Sequence, residues 1–183
     1  MPENPFLYLQ RNADRDPRGV FARSAARTLT NADAVVETRR IAYELRRLGV
    51  RAGDVVALDL PEQLRLLFTE AVYHEAAVST VLPPAWEPDG ALEVRWLCTT
   101  RADARLAGAG GVEVTPRFLR HIAENPSGIR PSEEPVELVR IVFSSGTTGR
   151  PKAIGLGREM EAGLDAALAT WFEGAPTLML MDT

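Results

Sequence analysis

Apolar and polar positions follow two alternating patterns along most of the chain. Continuous apolar runs of strand length precede segments whose apolar residues recur every three or four positions, as on one face of a helix. The runs that predict strands are 19–23, 55–60, 78–82 and 102–108. The segments that predict helices are 31–48, 61–77, 91–100 and 117–124.

Capping residues support three of these helices. Thr30 offers a hydroxyl cap with Asp33 three residues later, and Gly49 provides a stop for the same helix. Pro61 and Pro116 stand at helix starts, where proline is tolerated because its missing N–H would have no partner there.

The second half of the chain continues the alternation. The segment 125–135 holds three prolines, a glycine and two adjacent acids, so it predicts a loop and a possible boundary within the domain. Strands are predicted at 138–143, 152–157 and 177–181, with an amphipathic helix at 158–173. Strands alternating with such helices predict an α/β fold, with a mostly parallel sheet flanked by helices.

Composition narrows the class of protein. The chain has 183 residues, 45% hydrophobic and 25% charged, enough for a globular core. A net charge of −4 gives no basic surface for nucleic acid. A single cysteine, Cys98, excludes an internal disulfide framework and a thiolate metal site. With neither a leader pattern nor an apolar run of about 20 residues, we expect a cytoplasmic protein without a membrane span.

Isolated reactive side chains do not form a catalytic or metal-binding pattern. His74 and His121 have no ligand partners at metal-site spacing, and we expect both to be surface residues without a metal. Cys98 has no activating histidine nearby and is expected to be a packing residue. Glu133 and Glu134 are adjacent in a loop, which favours a solvated charge pair over an acid and base pair.

The segment 143–152, FSSGTTGRPK, has a composition suited to binding phosphate. Glycines allow the backbone to approach an anion, hydroxyls and N–H groups donate hydrogen bonds, and Lys152 adds a positive charge. It is not a Walker A loop, because Pro151 precedes the lysine and no Ser or Thr follows it. A plain polar turn is the alternative, but two to five residues would suffice for a hairpin.

This motif resembles the signature of the AMP-forming acyl-CoA synthetases and related adenylate-forming enzymes, which include peptide-synthetase adenylation domains and luciferases. The family pattern S/T-S-G-T-T-G-x-P-K is matched at every position from Ser144 to Lys152. Residues 48–62 and 81–85 are similar to family segments upstream of the loop. The chain departs from the family at Asn31, where tyrosine is frequent, and at Ala76 and Ala77, where K-A-G is usual.

The resemblance implies the fold of an N-terminal subdomain and a two-step reaction. A carboxylate attacks the α-phosphate of ATP to give an acyl-adenylate and pyrophosphate, and the thiol of coenzyme A then takes the acyl group. Fatty acids are one candidate class of acid. Lys152 would neutralise the pyrophosphate, and Mg²⁺ would bind on the phosphates. The residues expected to surround the phosphates are Ser144, Ser145, Gly146, Thr147, Thr148 and Gly149.

Other family segments do not occur in these residues. The Y-G-x-T-E segment, the T-G-D aspartate and the second lysine lie beyond the loop in the family, so residues 1–183 are interpreted as a truncated AMP-binding domain that is inactive alone. A non-catalytic nucleotide-binding or interaction module that kept the fold is the alternative. The apolar strand 177–181 at the cut end predicts self-association through an unpaired edge.

Overall fold

The computed structural model describes residues 4–24, 27–83, 92–101, 109–135, 137–144, 151–160 and 178–179. The described helices are α1 (Phe6–Arg15), α2 (Asn31–Leu48), α3 (Glu62–His74) and α4 (Pro116–Ala123). The described strands are β1 (Val20–Arg23), β2 (Thr28–Thr30), β3 (Val55–Asp59), β4 (Val78–Thr80), β5 (Trp96–Thr99), β6 (Gly110–Glu113), β7 (Leu138–Ser144), β8 (Lys152–Gly157) and β9 (Leu178–Met179).

The strands form two sheets. The larger has six strands in the order β6-β5-β3-β4-β7-β8, and its neighbours pair in parallel except for the antiparallel pair β7 and β8. The smaller sheet has the order β2-β1-β9. The predicted α/β fold with a mostly parallel sheet is therefore confirmed.

Most of the core lies between one face of the large sheet and the helices. All four helices contribute buried side chains to it, with Phe6, Leu45, Phe68 and Ile122 among them. A smaller apolar cluster, which includes Ala57, lies apart from this core on the same sheet. Burial on both faces explains why several strands are continuous apolar runs rather than alternating ones.

Helix α2 begins and ends where its sequence signals predicted. The Thr30 hydroxyl accepts a hydrogen bond from the Asp33 backbone N–H, and the Asp33 side chain returns to Thr30, which completes a capping box. Gly49 has a φ of 109°, a left-handed conformation that glycine adopts without steric cost.

The helix predicted for residues 91–100 is wrong. Residues 96–99 form β5, a strand paired in parallel with β3 on one side and β6 on the other. A short apolar run buried within a sheet lacks the two-residue alternation that identifies half-buried strands, so its pattern also fits a helix. Trp96 packs over Gly110, where a Cβ atom would lie 2.5 Å from the indole ring.

Three described elements had no prediction from the sequence: α1, β2 and β6. Helix α1 buries Phe6, Leu9 and Ala13 on one face against α2 and α3. The strand predicted at 102–108 lies outside the described residues, as does most of the predicted helix 158–173. The predicted strands 19–23, 55–60, 78–82, 138–143 and 152–157 are confirmed, with small differences at their ends.

His74 is buried, so its prediction as a surface residue is wrong. It is the last residue of α3, and its side chain has an exposed fraction of 0% because α1 and the loop after α4 cover it. Nδ1 lies 2.8 Å from a Glu75 carboxylate oxygen, and the ring meets Phe6 edge to face at 4.8 Å between centroids. His121, in contrast, is half exposed on α4, as expected.

The segment 125–135 is irregular, as predicted, but it is tied to the helices. The Ser132 N–H donates to the His74 carbonyl, and the Asn4 amide donates to the Ser132 carbonyl. Arg46 of α2 donates to the Arg130 carbonyl. A domain boundary at this segment stays a prediction. Glu133 and Glu134 are exposed, in agreement with a solvated charge pair.

The C-terminal strand pairs within the chain. Leu178 and Met179 of β9 lie beside Ala22 and Arg23 of β1 in parallel register. Self-association through this end stays a prediction. Among the helices that the structure describes, none has the length and apolar composition needed to cross a bilayer.

The buried carboxylate of Glu44 allows a test of the packing between α2 and the end of α4. Its exposed fraction is 1%, and it accepts hydrogen bonds from Arg47 and from Asn125, which joins α2 to the end of α4. Hydrogen bonds from Arg47 lower the Glu44 pKa. The ionised group therefore stabilises the fold above the ordinary carboxyl pKa, and this contribution is lost as the pH falls through the lowered value.

We expect Glu44→Gln to lower the free energy of unfolding at pH 7 by about 1–3 kcal/mol, because charged hydrogen bonds are replaced by neutral ones. The difference from the unsubstituted chain should shrink in acid, as measured by urea denaturation from pH 7 to pH 3. Glu37→Gln, in an exposed pair with Arg27, is the control and should cost less than about 1 kcal/mol. An equal loss for both variants would contradict the prediction.

Candidate functional site

The β7–β8 hairpin carries the two ends of the phosphate-binding motif. Ser144 ends β7 and Lys152 begins β8, and these two residues are directly opposite each other in the antiparallel register. Ser145, Gly146, Thr147, Thr148 and Gly149 lie outside the described residues. The roles predicted for these five residues therefore stay predictions.

Ser144 and Lys152 project from one face of the hairpin, because opposite residues of an antiparallel pair point the same way with Cβ atoms about 4.5–5.5 Å apart. Lys152 is exposed and Ser144 is half buried. The hydroxyl that opens the motif and the ammonium that closes it are therefore neighbours, and an anion between them could contact both.

Strands β4 and β7 are neighbours at a topological switch point of the large sheet. From β4 the chain continues to β5, on the side away from β7, whereas from β7 it continues to β8, on the side away from β4. Neighbouring strands whose connections leave in opposite directions open a crevice at their carboxyl ends, where open α/β sheets bind ligands. The motif begins at this crevice.

Two side-chain contacts hold β7 in place. The Thr80 hydroxyl at the end of β4 donates a 2.9 Å hydrogen bond to the Ile141 carbonyl. The Arg140 Nε donates to the Tyr73 hydroxyl of α3 at 2.9 Å, and the Arg140 guanidinium lies 5.8 Å from the Tyr73 ring centroid. Both the neighbouring strand and the covering helix thus fix the strand that carries the motif.

A cavity of about 450 Å³ lies between α3, the end of β4 and β7. Its lining is mostly apolar, with Leu58, Leu66 and Phe143 among its residues, and it includes Arg65 and Arg140. Phe143 is the residue before Ser144, so the cavity and the hairpin share the same strand. No local sequence pattern predicts this cavity, because its walls come from separate segments.

A second polar cluster lies at the carboxyl ends of β3 and β5. The Thr99 hydroxyl donates to the Asp59 carboxylate at 2.9 Å, and Arg101 donates to the same carboxylate at 3.2 Å. Sequence reasoning missed these residues. Polar side chains at the ends of adjacent buried strands are the signal that could have found them, once residues 96–99 are identified as a strand.

Reactive groups of other kinds are not assembled in the part of the chain that the structure describes. No group of three or more His, Cys, Asp or Glu side chains there could hold a metal ion. Cys98 is fully buried, and burial raises its thiol pKa to about 12, so the thiol stays protonated at neutral pH. The prediction that Cys98 is a packing residue is confirmed.

Comparison with known proteins identifies relatives of one kind. The chain is 30% identical to 4-coumarate–CoA ligase 4 of Arabidopsis thaliana over 161 positions, which cover 72% of this chain and 28% of the relative. It is 26% identical to nonribosomal peptide synthetase 8 of Aspergillus fumigatus over 153 positions, which cover 78% of this chain and 2% of that protein. No protein-family model matches the chain.

Solved structures show the same fold. The ATP-bound crystal structure of MatB from Rhodopseudomonas palustris superposes with a TM-score of 0.75 at 22% identity, over 94% of this chain and 38% of MatB. The chain thus spans less than two fifths of MatB and under a third of the plant ligase. Its relatives are AMP-forming adenylate-forming enzymes, and its fold is that of their N-terminal subdomain, so the resemblance seen in the sequence is confirmed.

The hydrogen bond from Thr80 to Ile141 supports a prediction about the strand below the motif. Thr80→Val keeps the shape of the side chain but removes the donor, and Thr80 is only 2% exposed. We expect the free energy of unfolding to fall by about 1 kcal/mol, and amide exchange at β7 to quicken. Hydrogen–deuterium exchange of the peptide spanning β7 measures the local effect.

Thr28→Val is the matched control, because Thr28 is exposed on β2 in the other sheet. It should leave exchange at β7 unchanged. Equal exchange at β7 in all three proteins would show that the Thr80 hydroxyl does not hold this strand.

Proposed function

We propose that the chain is the N-terminal part of an ATP-dependent, AMP-forming ligase. In the complete protein, the carboxylate of an acid attacks the α-phosphate of ATP. The bond from the α-phosphate to the bridging oxygen breaks, pyrophosphate leaves, and a mixed anhydride between the acid and AMP forms. A thiol then attacks the acyl carbon and releases AMP, and coenzyme A is the proposed acceptor.

The position of the motif is the observation that carries this proposal. The hydroxyl of Ser144 and the ammonium of Lys152 face the same side of a hairpin at the topological switch point. We assign the segment between them, with Ser145, Gly146, Thr147, Thr148 and Gly149, to the β- and γ-phosphates. Lys152 then offsets the charge that develops on pyrophosphate as it leaves.

The choice of a lysine supports a role in phosphate chemistry. Lys152 is the only lysine among 21 lysine and arginine residues of the sequence. Arginine serves at every other basic position, so the chain uses arginine wherever a positive charge on a solvated surface suffices. A compact ammonium on a flexible side chain differs from a planar guanidinium in shape and hydration. The lysine at this position therefore favours a function that an arginine would not perform.

The same observation bears on the alternative of a non-catalytic module. A domain that only kept the fold would not need its single lysine at the end of the motif, because an arginine there would keep the protein equally soluble. We therefore favour the ligase. Mg²⁺ would be held mainly by phosphate oxygens and water, as it prefers, because the described residues provide no cluster of carboxylates.

For the acid we propose a class of compound, and for the thiol we propose one molecule. The relatives named above include a coenzyme A ligase and a peptide synthetase. We propose a small-molecule carboxylic acid as substrate, with fatty acids as one class, and coenzyme A rather than a carrier-protein thiol as acceptor. A cytoplasmic location would supply both ATP and coenzyme A.

The single lysine makes a direct test possible. Reductive methylation with ¹³C-formaldehyde keeps the positive charge and gives one side-chain signal, from Lys152, beside that of the terminal amine. We expect magnesium pyrophosphate and magnesium ATP to shift the Lys152 signal in a saturable way, because the phosphates replace water around the ammonium. The signal of the terminal amine is the internal control. A Lys152 signal that does not respond to either ligand would contradict the proposal.

Substitution of the lysine separates its charge from its shape. We expect Lys152→Arg and Lys152→Ala both to weaken magnesium pyrophosphate binding by about tenfold or more, measured by calorimetry, because a planar guanidinium keeps the charge but not the compact shape of an ammonium. Arg120→Ala removes an exposed charge from α4 and should leave binding unchanged. Full binding by Lys152→Arg would show that any positive charge suffices and would remove the argument from the lysine.

A further inference from the structure

Six exposed arginines lie at the end of α2 and along α4. They come from two stretches, 45–53 and 116–130, which the structure describes in full and which contain one acidic residue, Glu124. The whole chain has 25 acidic and 21 basic residues, so positive charge is concentrated here in a protein that is negative overall. This arginine surface consists of Arg46, Arg47, Arg51, Arg117, Arg120 and Arg130.

The two helices of the arginine surface meet at one carboxylate. Glu44 of α2 accepts two hydrogen bonds from Arg47 and lies 3.5 Å from the Nε2 atom of His121 on α4. Arg117 and Arg120 precede His121 by one turn and by one residue, on the exposed side of the same helix. The charges of α4 therefore continue those at the end of α2.

Buried acids hold two of the arginines in fixed positions. Arg47 donates two hydrogen bonds to Glu44, and Arg46 donates two to Glu75 and one to the Arg130 carbonyl. Both acids are almost fully buried, whereas the Arg46 and Arg47 side chains are 42% and 57% exposed. A guanidinium has five N–H donors, so each arginine keeps donors for a further anion. Because these side chains are already ordered, binding would cost little conformational entropy.

The stability of α4 does not account for its arginines. Arg117 follows Pro116 in the first turn, which holds no acidic residue, and the positive end of the helix dipole disfavours a cation there. Arg120 lies one turn further along, where like charges on one helix face repel each other. These positions oppose local helix stability, so binding explains them better than folding does.

We infer that the arginine surface is a docking site for an acidic segment of another protein. Carboxylates match guanidinium groups in geometry and oppose them in charge, and arginine is enriched among the residues that contribute most to protein interfaces. Nucleic acid fits less well, because Phe118, the one phenylalanine, tyrosine or tryptophan of the two stretches, packs against the core and offers no ring for a base. The inference does not depend on the proposed function, since no residue of the hairpin takes part.

Poly-L-glutamate is a probe for such a segment. We expect a labelled chain of about 20 glutamates to bind the 183-residue protein saturably, as measured by fluorescence anisotropy, through its opposite charge. Raising NaCl from about 50 to about 300 mM should weaken binding by about tenfold, because salt screens exposed charges. No saturable binding at low salt would overturn the inference.

Matched variants locate the binding. Arg117→Gln combined with Arg120→Gln removes two exposed charges, and we expect it to weaken polyglutamate binding by about tenfold. Arg130→Gln, outside the helices, should weaken it by about threefold and does not depend on the folding of α4. Arg15→Gln combined with Arg18→Gln removes two exposed charges near the end of α1 and is the control, which should change binding by less than about twofold. Equal losses in the two double variants would show that binding follows net charge alone and would overturn the inference.

Further measurements test other occupants of the surface. Tighter binding of DNA oligonucleotides of about 20 residues, single-stranded or duplex, with loss in Arg117→Gln/Arg120→Gln, would assign the surface to nucleic acid and overturn the inference. Sedimentation velocity without a probe tests a second copy of the chain, and a dimer that the same double variant dissociates would overturn it as well. Lys152→Ala should leave polyglutamate binding unchanged, so a failure of the proposed function at the hairpin is distinguished from a failure here.

Discussion

The parallel pairing of β4 with β7 is the contact on which the candidate site depends. It joins residues 79–80 to 140–141, after the chain has already built β5 and β6 on the other side of β3. A two-stranded hairpin alone is marginally stable in water, so β7 and β8 need this pairing to be held at all. The same pairing creates the switch point, and therefore fixes both the crevice and the end of the strand from which the motif departs.

The pairing is short, and side chains reinforce it. Only two residues of β4 are in register with β7, far fewer than the six register pairs that join β7 to β8. Thr80 and Arg140 add contacts to β7 from a strand and a helix, respectively. Loss of either contact would loosen a junction that the backbone hydrogen bonds hold only weakly.

The path of the chain into β7 is set by buried polar groups. Glu75 is 4% exposed and binds Arg46 through two hydrogen bonds of 2.7 and 2.9 Å, while Arg46 also donates to the carbonyl of Arg130. The His74 Nδ1 atom lies 2.8 Å from a Glu75 carboxylate oxygen, and the His74 carbonyl accepts a hydrogen bond from the Ser132 N–H. Burying such charges is costly unless their partners are present, so these contacts favour the observed course of the loop.

Local signals in the sequence predicted the parts of this structure that local forces decide. The capping box of Thr30 and Asp33 determines a helix start within four residues, so it can be recognised without knowledge of the fold. Residues 96–99 were mistaken for a helix because neighbours on both sides, not their own spacing, make them a strand. His74 was misplaced for the same reason: the groups that bury it come from α1 and from a loop 58 residues later, at Ser132. The cavity could not be foreseen, since its walls meet only after β4 and β7 pair.

The two kinds of cation at this end of the sheet are held in different ways, and the difference follows from their chemistry. Arg140 donates to the Tyr73 hydroxyl beside an apolar cavity, so a hydrogen bond holds its planar guanidinium against α3. Lys152 is exposed at the start of an edge strand, where its flexible side chain allows the ammonium to take several positions. The guanidinium therefore stabilises the position of β7, whereas the role proposed for Lys152 requires a cation that can move. The hairpin therefore carries two cations in different environments. The cation on β7 is held beside the cavity, and the cation on β8 is exposed.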